Sequence, residues 1–469
     1  MVALINSNNP LPAKQGEAAG SDSNASVIEE LQSFHCKWLR FCWHDYTSTA
    51  RCRLMPMKRV LAMLEHGQGL DLSITMASMG LLQSDTMIPE VTGTGMYAAH
   101  PDWSSLRRGP AQGHATVSLD FKESDGSDVV FCPRTVLRKS VERASSHGLS
   151  FLLGFELEFI ILEPNPEAGN QQTPRHRAMH NDAHGWSKTR AIAEIGRDGS
   201  FISIIDELLD TLSDASIEIE QFHPETAPGQ YEVVLPPLPP LEACDALLRT
   251  RDIVEAVAAR HNFLMTLHPK PFATSSGSAS HVHVSISSPG GNDRQVYEPF
   301  YAGILKHYPA LLAFTYANPT SYERMVDSFW AGGRWVAWGT QNKEAPLRKC
   351  QDSHWEMKTL DGLANPYLAM AAILSAGTSG VTSREILVWG DCAKDPAKLT
   401  AEEREQLGVT VMFPRDLKDA LRALEADKAL GEVLGHELVQ RYMDVKRGEL
   451  SILDPMSAEE RREWVLQRY

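Results

Sequence analysis

Cysteine is scarce in this chain: seven among 469 residues, an odd number with no C-x-x-C pair. That excludes a disulfide framework and reads as reduced thiols. Long apolar runs are missing as well, so no segment reaches the length of a membrane-spanning helix. The N-terminus lacks a charged-then-apolar signal pattern, which leaves the cytoplasm as the expected location. Basic residues are outnumbered, 45 Lys and Arg against 60 Asp and Glu, for a formal charge of −15. Such a balance argues against nucleic acid or an anionic membrane as a partner, though not against a nucleotide held by a few local cations. What remains is an ordinary soluble composition, 43% apolar and 22% charged, long enough for two or three domains.

Residues 1–26 are rich in Asn, Ser, Ala and Gly and lack periodic hydrophobicity, which predicts a disordered leader. Residues 27–131 carry short alternating apolar segments such as Ala115-Thr-Val-Ser-Leu-Asp-Phe, broken by turn residues, and predict a small sheet-rich domain. Pro133-Arg134 opens a helical pattern and marks the start of a larger domain over 132–469. In it we expect a strand at Leu152–Leu162, a polar His-rich loop from about Pro164 to Lys188, and helices near Phe201–Leu212 and Leu241–His261. The last third is expected to be helical, from Asn365 and again from Pro414. Neither internal repeat nor coiled coil is evident. The pattern is that of an α+β chain.

The chemistry concentrates in three short stretches: Glu156-Leu-Glu158, Glu225-Thr-Ala-Pro-Gly-Gln-Tyr-Glu232 and His281-Val-His283. Residues two apart in a strand point to one face. Glu156 and Glu158 therefore share a face, as do His281 and His283, with Leu157, Phe159, Val282 and Val284 turned the other way. Paired carboxylates repel unless a cation or a proton lies between them. Carboxylates joined by an imidazole suit Mg²⁺ or Mn²⁺. A single alternating pair would ordinarily be a solvated strand face; the accumulation is what argues for a hard-metal cluster on a sheet.

Taken in order, the motifs resemble the glutamine synthetase superfamily. They are Pro101-Asp-Trp-Ser-Ser-Leu-Arg107, Gly154-Phe-Glu-Leu-Glu-Phe159, Pro228-Gly-Gln-Tyr-Glu232, Pro269-Lys-Pro271 and Ser276-Gly277 leading to His281. Asn318-Pro-Thr-Ser-Tyr-Glu-Arg324, Pro346-Leu-Arg348, His354-Trp-Glu356 and Asp361-Gly-Leu-Ala-Asn-Pro-Tyr-Leu368 follow. Trp330-Ala-Gly, Trp338-Gly and His354-Trp-Glu most resemble the fungal FluG-type branch of this type I-like group. The resemblance implies an N-terminal β-grasp domain, a large catalytic domain and a ring-shaped homo-oligomer. It implies one ion on Glu158, Glu225 and Glu232 and a second on Glu156, His281 and Glu356, two or three ions of Mg²⁺ or Mn²⁺ in all, with ATP as co-substrate. Arg324 and Arg348 match positions that bind the substrate carboxylate and phosphates, a task suited to a planar fork. Gly277 matches the backbone that approaches the amino-acid substrate, and His283, Lys343 and Lys358 match positions near the nucleotide phosphates.

Two departures fall on the amine side. Where the family keeps a flap glutamate, this chain has Trp330, and the stretch Ala77–Leu82 offers Met79 in place of an acid. Phosphate-binding arginines are replaced around Gln341, Lys343 and Lys358. The expected activity is therefore ATP-dependent joining of a carboxylate, the γ-carboxylate of glutamate, to an organic amine through an acyl phosphate. Two alternatives stay open: an ammonia-using glutamine synthetase in which Glu323 or Asp327 replaces the flap acid, and a catalytically weak regulatory protein.

Overall fold

The computed structural model describes residues 21–165, 176–178 and 200–469. Most of the expected His-rich loop lies outside them, as do the first 20 residues of the expected leader. A helix spans Ser21–Ser33, so residues 21–26 of that expected leader are helical. Val27 and Leu31 of this helix are buried in the first core, and that burial holds the segment.

The first sheet has five strands: β1 (Trp38–His44), β2 (Ala50–Pro56), β3 (Leu72–Thr75), β4 (Met96–Arg108) and β5 (His114–Lys122), ordered β2-β1-β5-β4-β3. The β1–β5 pair is parallel and the others antiparallel. Alternation explains its core: Leu39 and Phe41 on β1 and Ala115, Val117, Leu119 and Phe121 on β5 are fully or nearly fully buried. Val60 and Leu64 of the helix Met57–Glu65 close over them.

The second sheet is larger. It comprises β6 (Phe151–Pro164), β7 (His176–Ala178), β8 (Gln221–Pro224), β9 (Gln230–Val234), β10 (Leu264–Thr266), β11 (Ser280–Ile286), β12 (Trp338–Thr340), β13 (Leu347–Gln351) and β14 (His354–Met357). The path runs β12-β13-β14-β11-β6-β9-β8, with β7 and β10 also on β6. Leu157, Phe159, Val282 and Val284 point to the buried side as their alternation requires. Trp355 is fully buried and stacks on Tyr301 with ring centroids 4.0 Å apart, a core wall.

Helices back this sheet. Pro133–Ser146 opens with proline at its first turn, where the missing N–H has no partner to lose. Ser200–Asp214 and Pro240–Arg260 follow as expected. Arg294–Thr315 packs on Pro366–Ser383 at very close range: a Cβ on Gly303 would lie 2.4 Å from the Ala376 carbonyl oxygen, so only glycine fits. Asn365 caps the latter helix by accepting from the Leu368 N–H at 3.2 Å, and its amide donates to the Asp45 carbonyl at 2.8 Å. Near the C-terminus, Leu417, Ala420, Leu421 and Leu424 bury one face of the helix Leu417–Ala426. No helix among the described residues is long and apolar enough to cross a membrane.

Candidate metal and nucleotide site

The register of the large sheet assembles the site. β6 lies between β11 and β9, so Glu156 faces His281 on one side while Glu158 faces Glu232 on the other. One strand further out, His283 faces Glu356, which in turn faces Arg348. Residues more than a hundred positions apart are thus brought onto one face by strand pairing alone.

On the first side, His281 Nδ1 lies 3.3 Å from Glu156 and 3.5 Å from Glu356. Its Nε2 is buried without a hydrogen-bond partner among the described residues. On the other side, His223 Nε2 stands 3.6 Å from both Glu225 and Glu232. Each triad offers donor atoms within 4.8 Å of one another. Glu158 connects them: one oxygen accepts from Gln230 Nε2 at 2.7 Å and from the Ala279 N–H at 3.0 Å, while the other lies 3.9 Å from His281.

The electrostatics are strained in the direction a cation would relieve. Burial, then repulsion from Glu156, Glu158 and Glu225, pushes the Glu232 carboxyl up to about 9. Burial and Glu225 push Glu158 up to about 7, against the pull of Arg324 and Lys358. Burial would raise Glu356 as well, but Lys358 and His281 outweigh it and hold the carboxyl down at about 2. Glu156 is likewise held well below the usual range, burial being outweighed by hydrogen bonds to His281 and His283. His281 is lowered to about 4, by burial and then Lys358, and so is neutral and able to ligate. Crowded carboxylates, neutral imidazole and an orphaned ring nitrogen fit a hard divalent ion.

The cations expected nearby are partly in place. Lys358 Nζ lies 3.0 Å from one Glu356 oxygen and Arg348 Nη1 2.9 Å from the other. Arg348 also donates to Gln341 at 2.9 Å. Arg324 is buried, donates to Tyr316 Oη at 2.6 Å and to the Lys358 carbonyl at 3.1 Å, and keeps an Nε with no partner among the described residues. Gly277 sits against it, its carbonyl accepting from Gln230 at 3.0 Å. His283 donates from Nε2 to Glu156 Oε1 at 3.0 Å. Lys343 differs: it is exposed on the turn after β12, with no hydrogen bond or ion pair to the cluster among the described residues.

Sequence reasoning missed four contributors. His223 stands two residues before Glu225, the spacing that had picked out the others. Gln230 stands two before Glu232 and buries its amide against Glu158. Cys350 and His354 gather around His283. On the amine side, Phe329 and Trp330 are 58% and 56% exposed on a loop beside Lys358. Glu344 accepts from the Trp330 backbone N–H at 3.0 Å, an acid placed beside the position where the flap acid is missing. Asp327 is instead occupied by Arg334, at 2.7 Å, and Glu323 is exposed.

A mixed α/β fold with carboxylates and histidines gathered on the face of its large sheet defines a protein of the glutamine synthetase class. The family model for the glutamine synthetase catalytic domain matches residues 130–469, and the chain belongs to that family. Among curated proteins it is 39% identical over 436 residues to Protein fluG of Emericella nidulans, covering 92% of this chain and 48% of that protein. The chain thus spans about half the length of that relative, and the match places it on the FluG-type branch. It is 29% identical to gamma-glutamylpolyamine synthetase GlnA3 of Streptomyces coelicolor, across 95% of this chain and 96% of the other. A solved structure described as a novel glutamine synthase homolog superposes with TM-score 0.76 at 26% identity, covering 92% of this chain and 99% of that one. A GmaS/ADP complex superposes with TM-score 0.75 at 22% identity, covering 94% and 99%, a likeness of fold.

Proposed function

We propose that the protein is an ATP-dependent carboxylate–amine ligase that forms a γ-glutamyl amide with an organic amine. The observation that carries this reading is the contrast between the two halves of the site. The metal half gathers two carboxylate–histidine triads on one sheet face, whereas the amine half carries an exposed Trp330 in place of an acid.

Glu156, His281 and Glu356 would hold one Mg²⁺ or Mn²⁺, and Glu225, Glu232 and Glu158, with His223, another. Bound ions would neutralise the charge between ATP and the substrate carboxylate and stabilise the transferring phosphoryl group. Arg324 would hold the substrate carboxylate, with Gly277 allowing close backbone approach. Arg348 and Lys358 supply positive charge for the phosphates once Glu356 is engaged elsewhere. The carboxylate oxygen takes the γ-phosphoryl group; the amine nitrogen then attacks the carbonyl carbon, phosphate leaves, and the nitrogen loses a proton.

Ammonium needs an anionic site and a base, while an arylamine is neutral at pH 7 and can lie on an indole or phenyl face. Phe329 and Trp330 offer such faces. The similarity to a gamma-glutamylpolyamine synthetase supports an organic amine in general. Glu344 supports a second reading, in which a cationic amine or ammonium is held by its carboxylate.

The test is phosphate release from ATP by purified protein with Mg²⁺, glutamate and a panel of ammonium, polyamines, alkylamines and anilines. Amine-dependent turnover that Glu158→Ala abolishes is the expected result. Saturable glutamine formation from ammonia, with no gain from any organic amine, would sink the organic-amine reading. Nucleotide binding without turnover would favour a regulatory protein.

A further inference from the structure

Beside the carboxylate cluster, the described residues form another group with a different donor chemistry. His283 on β11 meets Cys350 and His354 from the β13–β14 hairpin, their ligand atoms all within 4.8 Å of one another. His283 Nδ1 is 2.7 Å from His354 Nε2 and 4.0 Å from Cys350 Sγ. The strand register shifts between Lys349 and Gln351, at the cysteine itself. A bulge of this kind re-aims a side chain.

The second nitrogen of His283 is already committed. Its Nε2 lies 3.0 Å from Glu156 Oε1, which leaves Nδ1 to face the thiol and the other imidazole. A carboxylate on the far nitrogen is the usual partner of a metal-bound histidine, since it fixes the tautomer and raises ligand basicity. A thiolate with two imidazoles is a poor set for Mg²⁺ and a good one for Zn²⁺. Tetrahedral zinc with ordinary bond lengths sets its donors about 3.3–3.6 Å apart. The two separations found here bracket that range, so small side-chain rotations would bring all three donors into place. Three protein ligands would leave a fourth position open.

We propose that Cys350, His283 and His354 form a Zn²⁺ site distinct from the hard-metal cluster, with Glu156 orienting His283. The test is titration of the chelator-treated, tag-free full chain with Co²⁺, followed by absorption. One equivalent should produce a thiolate-to-cobalt charge-transfer band that Zn²⁺ displaces. The band should vanish in Cys350→Ser and persist in Glu225→Ala, which alters only the carboxylate cluster. His354→Ala should weaken Zn²⁺ binding by more than the roughly 100-fold that loss of an outer partner costs. Absence of the band in the unmodified protein would overturn the proposal without recourse to any variant. A band that survives Cys350→Ser would do the same, pointing to another thiol. Since no arm reads turnover, failure here would leave the ligase reading untouched.

Discussion

Glu158 on β6 lies directly opposite Glu232 on β9, two buried carboxylates on facing positions of neighbouring strands. Like charges in this arrangement oppose folding, and the protein without metal meets the cost by keeping protons. The Glu232 carboxyl sits at about 9, above the ordinary value of 4.5. A carboxyl raised in the folded state contributes stability at low pH that is lost as pH climbs from the unfolded value through the folded one. Glu232→Gln should therefore gain stability over the parent protein progressively between pH 4.5 and 9, measured by thermal melting in chelator. The same variant should lose ATP turnover by more than about 100-fold, because a ligand matters more than its outer partners. A melting difference that does not change with pH would contradict the assignment.

Metal binding should release protons for the same reason. Glu158, at about 7, and Glu232, at about 9, must give up theirs before they can ligate. Apparent Mg²⁺ affinity should rise from pH 6 to pH 9 and then level off. Calorimetry in buffers of differing ionisation enthalpy would count the protons; a heat independent of buffer at pH 7 would show that neither carboxyl is protonated there.

The legible part of this site is the part written in period two. Glu156, Glu158, His281 and His283 announce a shared face by alternation, and strand pairing delivers it. His223 obeyed the same rule and could have been found from its spacing to Glu225. Cys350 could not, because its direction depends on a register shift in β13 that no local pattern encodes. Glu344 meets the Trp330 backbone from fourteen residues away across a turn, a relation visible only once the loop is closed. Lys343 illustrates the converse: a motif position predicts proximity, yet its side chain stands in solvent.

Gly277 is required for space. A Cβ there would lie 2.7 Å from the Pro269 carbonyl oxygen and 2.9 Å from Arg324 Cβ. Backbone cannot yield as a side-chain tip can, so Gly277→Ala should displace Arg324. We expect the KM for the carboxylate substrate to rise about tenfold or more, since small misplacements of positioning groups cost rate steeply. An unchanged KM would remove Arg324 from substrate binding.

Acid should unfold the protein partly through His268. This ring is 1% exposed, its Nδ1 accepts from the Lys270 N–H at 3.0 Å, and its Nε2 has no partner among the described residues. Burial, then the charge of Arg462, lowers it to about 3. A histidine lowered in the folded state contributes stability above its unfolded value near 6.5, and that stability is lost as pH falls toward 3. His268→Asn retains an acceptor for Lys270 and cannot be protonated. Its stability should decline less steeply than the parent's from pH 6.5 to pH 4 in denaturant melts; parallel curves would exclude His268 as a contributor.

The loop at Trp330 ties backbone strain to choice of amine. Ser328, Trp330, Gly332 and Gly333 all have positive φ, +57° at Trp330, a region that costs a residue with a Cβ about 1 kcal/mol or more. A large indole is held there, more than half exposed, although glycine would relax the chain. Strain of this kind persists where the side chain is wanted. Trp330→Gly should therefore leave stability unchanged or raise it by about 0.5–1 kcal/mol. It should nonetheless lower kcat/KM for organic amines, with the KM for glutamate unaffected. Trp330→Glu should shift the ratio of ammonium to organic-amine turnover toward ammonium, because it supplies the negative charge the position lacks. Comparing kcat/KM across the amine panel in both variants decides the matter: unchanged ratios would place amine selection elsewhere, with Glu344 the next residue to alter.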